Sequence, residues 1–325
     1  MTASPAPERS TPPWRATAAL RGAVDFLHLI RFSHTIFALP FALLACVMAL
    51  RVPRLDGTPV PMDAGTVAWR TVGVVLCMVF ARSAAMAFNR WVDADIDARN
   101  ERTAGRHLPA GLLSKRQVIG FFLACSAAFG ASTLLFLPNW LPAALAPAVL
   151  AWLCGYSLAK RFTVTAHLWL GVALALAPVA SWIAMRGEIV LDTPRDLLPT
   201  FVLAAAIALW VAGFDIIYAC QDADFDRREG LYSVPGRWGV PRALRIARWL
   251  HLAMLGVLAV WPFCFPHLGL GWIYAVGWVV VAVLVVRQHR LVRPDDLGRV
   301  GFAFFHLNAL ISLGFCSMAA IDCWF

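Results

Sequence analysis

Charge is scarce in this chain. Only 14% of its 325 residues are Asp, Glu, Lys or Arg, while 60% are hydrophobic; a soluble domain carries about 25% charged residues. The shortage excludes an ordinary soluble globule, because the apolar residues come in long runs that one core could not bury and a bilayer could. Any CxxC pair is also missing. The eight cysteines (Cys46, Cys77, Cys125, Cys154, Cys220, Cys264, Cys316 and Cys323) are scattered, mostly inside apolar runs. That pattern argues for small packing residues and against disulfides or a metal cluster. No short apolar stretch with a small-residue cleavage site opens the chain, so no cleaved signal peptide is expected. Residues 1–20, with Ser4-Pro5-Ala6-Pro7 and Thr11-Pro12-Pro13, read as a disordered tail ahead of a single domain over 21–325. The net charge of +9 invites a nucleic-acid partner, but the basic residues sit in loops between apolar runs. The expected surroundings are membrane lipid, with no nucleic acid and no obligate protein partner evident.

What is present is apolar length. Nine segments stand out, at 33–50, 67–90, 117–137, 140–159, 164–185, 197–221, 249–266, 268–287 and 300–321. At 1.5 Å per residue each can cross a hydrocarbon core of about 30 Å, some only marginally. The fold class is therefore all-α, a polytopic bundle of nine transmembrane helices. Leu137-Pro138-Asn139-Trp140 and Pro266-His267 are tight reversals, which pair the third segment with the fourth and the seventh with the eighth. Pro40, Pro142, Pro147, Pro178 and Pro262 fall inside segments and predict kinks that membrane helices tolerate. The basic residues set orientation. The N-terminal side and the loops after the second, fourth, sixth and eighth segments hold 22 Lys and Arg; the other side holds five. The positive-inside rule then places the N-terminus and the loops near 91–116 and 222–248 in the cytoplasm, and the C-terminus across the inner membrane.

Two acidic motifs end the second and sixth segments on that cytoplasmic side. One reads Asn89-Arg90-Trp91-Val92-Asp93-Ala94-Asp95-Ile96-Asp97, the other Tyr218-Ala219-Cys220-Gln221-Asp222-Ala223-Asp224-Phe225-Asp226. Spacing of four puts Asn89, Asp93 and Asp97 on one helix face, and Tyr218, Asp222 and Asp226 on another. Asp95 and Asp224 lie off those faces. The offset between the triads is a constant 129 residues, as in an internal pseudo-repeat. One such motif reads as a solvated helix end. Two at matched depth beside membrane helices point to function. Facing carboxylates that hold Mg²⁺ invert the local field and bind a diphosphate, and the metal draws charge from a breaking C–O bond.

These residues resemble the UbiA superfamily of intramembrane prenyltransferases. Its pattern NxxxDxxxD matches Asn89, Asp93 and Asp97, followed by the family-like run from Asp97 to Arg106 and Leu108-Pro109. Its second pattern, DxxYAxxDxxxD, matches Asp215, Tyr218, Ala219, Asp222 and Asp226, and Tyr156–Thr163 resembles its basic loop. The likeness spans about 28–320 and is greatest to the 4-hydroxybenzoate-polyprenyltransferase-like branch, through Phe214–Asp222 and Gly230–Pro235. It implies a central cavity open to lipid, Mg²⁺ held by Asn89, Asp93, Asp97, Asp222 and Asp226, and a polyprenyl diphosphate donor. It also implies an aromatic acid acceptor, such as 4-hydroxybenzoate or a dihydroxynaphthoate of the futalosine route to menaquinone. Haem or chlorophyll prenylation on the same scaffold is the alternative.

Further candidates follow. Arg31, Arg99, Arg102, Lys160 and Arg161 are expected at the diphosphate, and the loop carrying Arg99, Arg102 and Arg106, with Gly105 as a flexible point, is expected to cap the site. Arg82, seven residues before Asn89, lies about 10 Å deeper on the same face. It needs a partner there, either Asp215 on the facing helix or the acceptor carboxylate. Tyr218 would sit by the metals or acceptor, or simply pack, and Asp215 could remove the ring proton. His167, His306 and Asn308 read as satisfied polar contacts. Two rival classes fit less well. A CDP-alcohol phosphotransferase needs a DGxxAR run that is absent, and a transporter places its ionic sites near the midplane.

Overall fold

The computed structural model describes residues 37–54 and 56–325. The expected tail, the start of the first segment and Arg31 lie outside them. Among the described residues the regular structure is helical throughout. Eight helices are long and apolar enough to cross a membrane: Ala64–Arg99 (α2), Lys115–Phe136 (α3), Leu141–Ala159 (α4), Ala166–Asp192 (α5), Leu198–Ala219 (α6, within the longer helical stretch Pro194–Arg228), Val240–Cys264 (α9), Trp272–Leu291 (α10) and Val300–Trp324 (α11). A shorter apolar helix, Leu39–Arg51 (α1), precedes them, and two brief helices, Ala223–Arg228 (α7) and Val234–Trp238 (α8), follow α6. Each expected apolar segment has its helix.

Helix lengths differ from the apolar runs where polar residues continue the winding. α2 has 36 residues and carries the first acidic motif as unbroken helix. α9 begins at Val240, ahead of the apolar run, because its first turns are amphipathic, with Ala243, Leu244 and Ala247 buried and Arg242 and Arg245 exposed. The proline expectation needs correction. Pro40 and Pro142 occupy first turns, where no intrahelical N–H is lost. The break in α5 falls at Arg186 (φ −131°, ψ 22°) rather than at Pro178.

The core lies between α1, α5, α6, α9 and α11, filled by Phe41, Trp182, Met185, Trp210, Met254, Trp261 and Phe315. Gly171 allows α5 to meet α6 closely; a Cβ there would lie 2.3 Å from the Ala208 carbonyl oxygen, the small-residue contact that membrane helices use. Outward faces carry exposed Trp249, Phe263, Trp272, Val283 and Leu310, as a lipid-facing surface requires. α2, α3 and α4 stand against this core and leave a cavity between the two groups.

Candidate active site

The cavity measures about 880 Å³. Its inner walls are apolar, from Val74, Met78, Phe129, Leu153 and Leu174, and its mouth is charged. Both acidic motifs end there. Asn89, Asp93, Asp97, Asp222 and Asp226 all line it, as do Arg82, Arg102, Lys160, Asp215 and Tyr218.

Unbroken α2 places Asn89, Asp93 and Asp97 one turn apart. Asp93 and Asp97 are 2% and 5% exposed, so each needs a counter-charge. Lys160 Nζ lies 2.6 Å from Asp93 Oδ2, Arg161 Nη2 lies 3.2 Å from Asp93 Oδ1, and Asn89 Nδ2 donates to Asp93 Oδ2 at 3.1 Å. Arg106 Nη1 reaches both oxygens of Asp97 at 2.7 Å.

The second motif differs from the sequence expectation. α6 ends at Ala219, a 3₁₀ turn covers Cys220–Asp222, and α7 restarts at Ala223. Tyr218, Asp222 and Asp226 therefore do not lie along one continuous helix, although all three face the cavity. The tighter turn changes the angle per residue. Asp222 is held from the first motif's side: Arg102 Nε donates to its Oδ1 at 2.8 Å, Arg102 Nη2 contacts its Oδ2, and Asn100 Nδ2 donates to Oδ1 at 3.0 Å. Arg102 Nη1 also donates to Tyr218 Oη at 2.8 Å. Burial works against the Arg102 charge, but the bonds to Asp222 and Tyr218 outweigh it and hold the guanidinium above its usual range.

The loop after α2 reaches across because it is a run of turns. Thr103 N and Ala104 N both bond to the Asn100 carbonyl, Arg106 N bonds to that of Thr103, and Thr103 Oγ1 closes onto the Asp97 carbonyl at 3.0 Å. A further strut joins Tyr232 N to the Lys160 carbonyl at 2.7 Å. The mouth is thus ringed by the α2–α3 loop, the α4–α5 loop and the segment after α7.

Asp215 sits deeper, and its partner corrects one expectation. It pairs with His167, whose Nδ1 lies 2.7 Å from Asp215 Oδ2, and not with Arg82. His167 Nε2 accepts the Val234 backbone N–H at 3.2 Å. With Nε2 taken by that N–H, Nδ1 is the ring nitrogen left to face the Asp215 carboxylate. Arg82 lines the cavity one wall away, and its buried Nε has no hydrogen-bond partner. Arg99 pairs instead with Glu229 at 2.8 Å on the exposed rim and does not line the cavity. Asp95 and Asp224 hold exposed pairs with Lys115 and Arg227. His306 stacks on Phe302, and Asn308 is buried in α11. Sequence reasoning missed Asn100 and the role of Arg90, whose Nη1 donates to Asn89 Oδ1 at 3.3 Å. Asn100 stood three residues after Asp97, which was the signal available.

A hard cation fits this donor set. The motifs offer carboxylate and amide oxygens, the ligands that Mg²⁺ prefers, and ammonium and guanidinium groups already stand where positive charge is wanted. Among the described residues no three carboxylate, imidazole or thiol groups converge on one point, because the carboxylates of Asp93, Asp97 and Asp222 are turned to basic partners.

Comparison with known proteins agrees with this geometry. A family model described as the UbiA prenyltransferase family matches residues 38–310. The 4-hydroxybenzoate octaprenyltransferase of Vibrio campbellii is 31% identical over 247 residues, covering 75% of this chain and 82% of that protein. Among solved structures, the apo form of a UbiA homolog from Aeropyrum pernix K1 superposes with a TM-score of 0.76 at 32% identity, covering 89% of this chain and 98% of that one. A UbiA homolog from Archaeoglobus fulgidus, bound to DMAPP and Mg²⁺, shares the fold with a TM-score of 0.63 at 17% identity, over 92% and 99% of the two chains.

Proposed function

The chain belongs to the UbiA prenyltransferase family, and we propose that it transfers a polyprenyl group from its diphosphate to the ring of 4-hydroxybenzoate in ubiquinone biosynthesis. One observation carries the reading: two acidic motifs from distant parts of the chain, joined by Asn100 and Arg102 to Asp222, share the mouth of one apolar cavity. The names of relatives such as the Vibrio campbellii enzyme favour 4-hydroxybenzoate.

Asn89, Asp93, Asp97, Asp222 and Asp226 would hold Mg²⁺, which when bound neutralises the leaving diphosphate. Arg102, Arg106, Lys160 and Arg161 are placed to exchange a carboxylate for a phosphate oxygen, an ion they suit equally well. The C–O bond to the prenyl carbon breaks, and its electron pair leaves with the diphosphate. The apolar walls keep water from the allylic cation. The ring carbon beside the phenolic hydroxyl then forms the C–C bond. Asp215 takes the ring proton, oriented by His167 from behind. Arg82, with an unsatisfied Nε in the same cavity, faces the acceptor carboxylate. The 22-to-five asymmetry of basic residues favours a mouth on the cytoplasmic side of the inner membrane.

The test is a panel of 4-hydroxybenzoate, a dihydroxynaphthoate and haem b, each with several prenyl diphosphates, in membranes containing the protein. Mg²⁺-dependent transfer to 4-hydroxybenzoate is the expected result. Transfer to the naphthoate alone would move the enzyme to menaquinone synthesis, and transfer to haem alone would overturn the acceptor.

A further inference from the structure

The last helix departs from α geometry at one place, and that place faces the site. Ala303–Leu307 forms a π turn inside α11. Such turns are rare and less favourable than regular winding, so something must hold this one. Two side-chain amides do so. Asn308 Nδ2 donates to the Phe304 carbonyl at 2.8 Å, and Gln288 Nε2, from α10, reaches the Ala303 carbonyl at 3.3 Å and Asn308 Oδ1 at 3.4 Å. Both residues are 0% exposed, at a depth where a polar group without partners is costly. Gln288 Oε1 is also buried without a hydrogen-bond partner, so keeping these amides here has a cost.

The turn delivers Phe304. Its ring lies 4.3 Å from that of Tyr218, 5.4 Å from Phe214 and 5.6 Å from Phe37, centroid to centroid. All four rings line the cavity. Tyr218 bonds to Arg102, and Arg102 grips Asp222. This aromatic wall therefore starts one side chain from Asp222, a carboxylate assigned to the metal that would hold the diphosphate. The donor's reacting carbon is bonded directly to the diphosphate, and the wall lines the same cavity as the carboxylates that would hold it.

We propose that Phe304 is the aromatic face that stabilises the allylic cation, and that Gln288 and Asn308 are positioning residues that hold it there through the π turn. The inference rests on the ionisation reading above and adds the group that meets the charge. When the C–O bond breaks and the pair leaves on the diphosphate, the prenyl carbon needs negative potential from a neighbour that will not bond to it. A carboxylate or water would capture the cation. A phenyl face attracts it through its quadrupole and has no lone pair to give.

The test uses the purified enzyme in lipid nanodiscs, with two measurements: the single-turnover rate, and affinity for a thio-diphosphate donor analogue that does not ionise. Phe304→Leu should slow turnover about thirtyfold, the scale of a desolvated cation–π contact, while analogue affinity barely changes. Replacing Phe304 with phenylalanines of increasing ring fluorination should slow turnover stepwise, since each fluorine weakens the ring face at nearly constant size. Asn308→Leu should slow turnover by the same route, so that Phe304→Leu/Asn308→Leu is no slower than Phe304→Leu alone. A flat fluorination series, or analogue affinity that falls as far as the rate, would overturn the role of Phe304. Additive losses in the double variant would overturn the positioning role. The fluorinated series keeps the native shape, so it decides the matter even if Asn308→Leu does not fold. A wild-type enzyme whose turnover is active but metal-independent would instead defeat the ionisation reading on which this rests.

Discussion

At one end of the bundle Asp196 has both oxygens filled. Arg186 Nη2 lies 2.9 Å from one and Trp182 Nε1 donates to the other at 2.8 Å; Arg186 also bonds to the Val52 carbonyl at 2.8 Å and lies over the Trp182 ring. Arg186 is 1% exposed and does not line the cavity. At the other end Asp93, Asp97 and Asp222 are paired as well, but with Lys160, Arg106 and Arg102, whose side chains are 20–32% exposed at a cavity mouth. The first cluster joins α1, α5 and the turn before α6 by contacts made only within the protein. The second consists of charges that a ligand can take over partner by partner. Buried ion pairs thus serve two purposes in one molecule, and what separates them is whether the basic partner can reach open space.

That difference can be broken by mutation. The largest effect on chemistry is expected from Asp93→Ala or Asp222→Ala. Transfer should fall by about a thousandfold or more, since each removes charge that binds the metal, while the thermal unfolding of the detergent-solubilised protein stays close to wild type. Wild-type-like activity in either variant would refute the assignment. Arg186→Leu should do the reverse. It strands the buried Asp196 and should destabilise the bundle by about 3–5 kcal/mol, read as a lower Tm, with unchanged kcat in the fraction that remains folded. Arg82→Ala should raise the acceptor KM about tenfold, the scale of one charge-assisted hydrogen bond, and leave the donor KM alone. The smallest effect belongs to Lys115→Ala. Its pair with Asp95 is exposed on both sides, and such pairs contribute almost nothing, so rate and Tm should both hold.

The cavity mouth was legible in the sequence, though much of its detail was not, whereas the Arg186–Asp196 end was not legible at all. Asn89, Asp93 and Asp97 share a face because α2 continues past its apolar run, and spacing of four was enough to see it. The second motif has the same spacing, but its helix tightens to 3₁₀ at Cys220 without a glycine or proline to mark the change. Asp215 and His167 lie 48 residues apart, and only the register of α5 on α6 brings them together. The same holds for Arg102 on Asp222, where a basic loop was legible and its exact partner was not. The Arg186–Asp196 cluster had no signature at all, since Arg186 was counted simply as one of five basic residues on the far side. Helix existence followed from apolar length. Helix ends did not, because amphipathic turns at α2 and α9 extend beyond the apolar runs.

Both acidic motifs are assigned to one metal–diphosphate assembly. Mn²⁺ binding followed by electron paramagnetic resonance, with and without a non-ionising prenyl diphosphate analogue, tests it most directly. Tight Mn²⁺ binding to the wild type is expected when the analogue is present, and its loss in both Asp93→Ala and Asp222→Ala. Retention of analogue-dependent Mn²⁺ binding in either variant would contradict it.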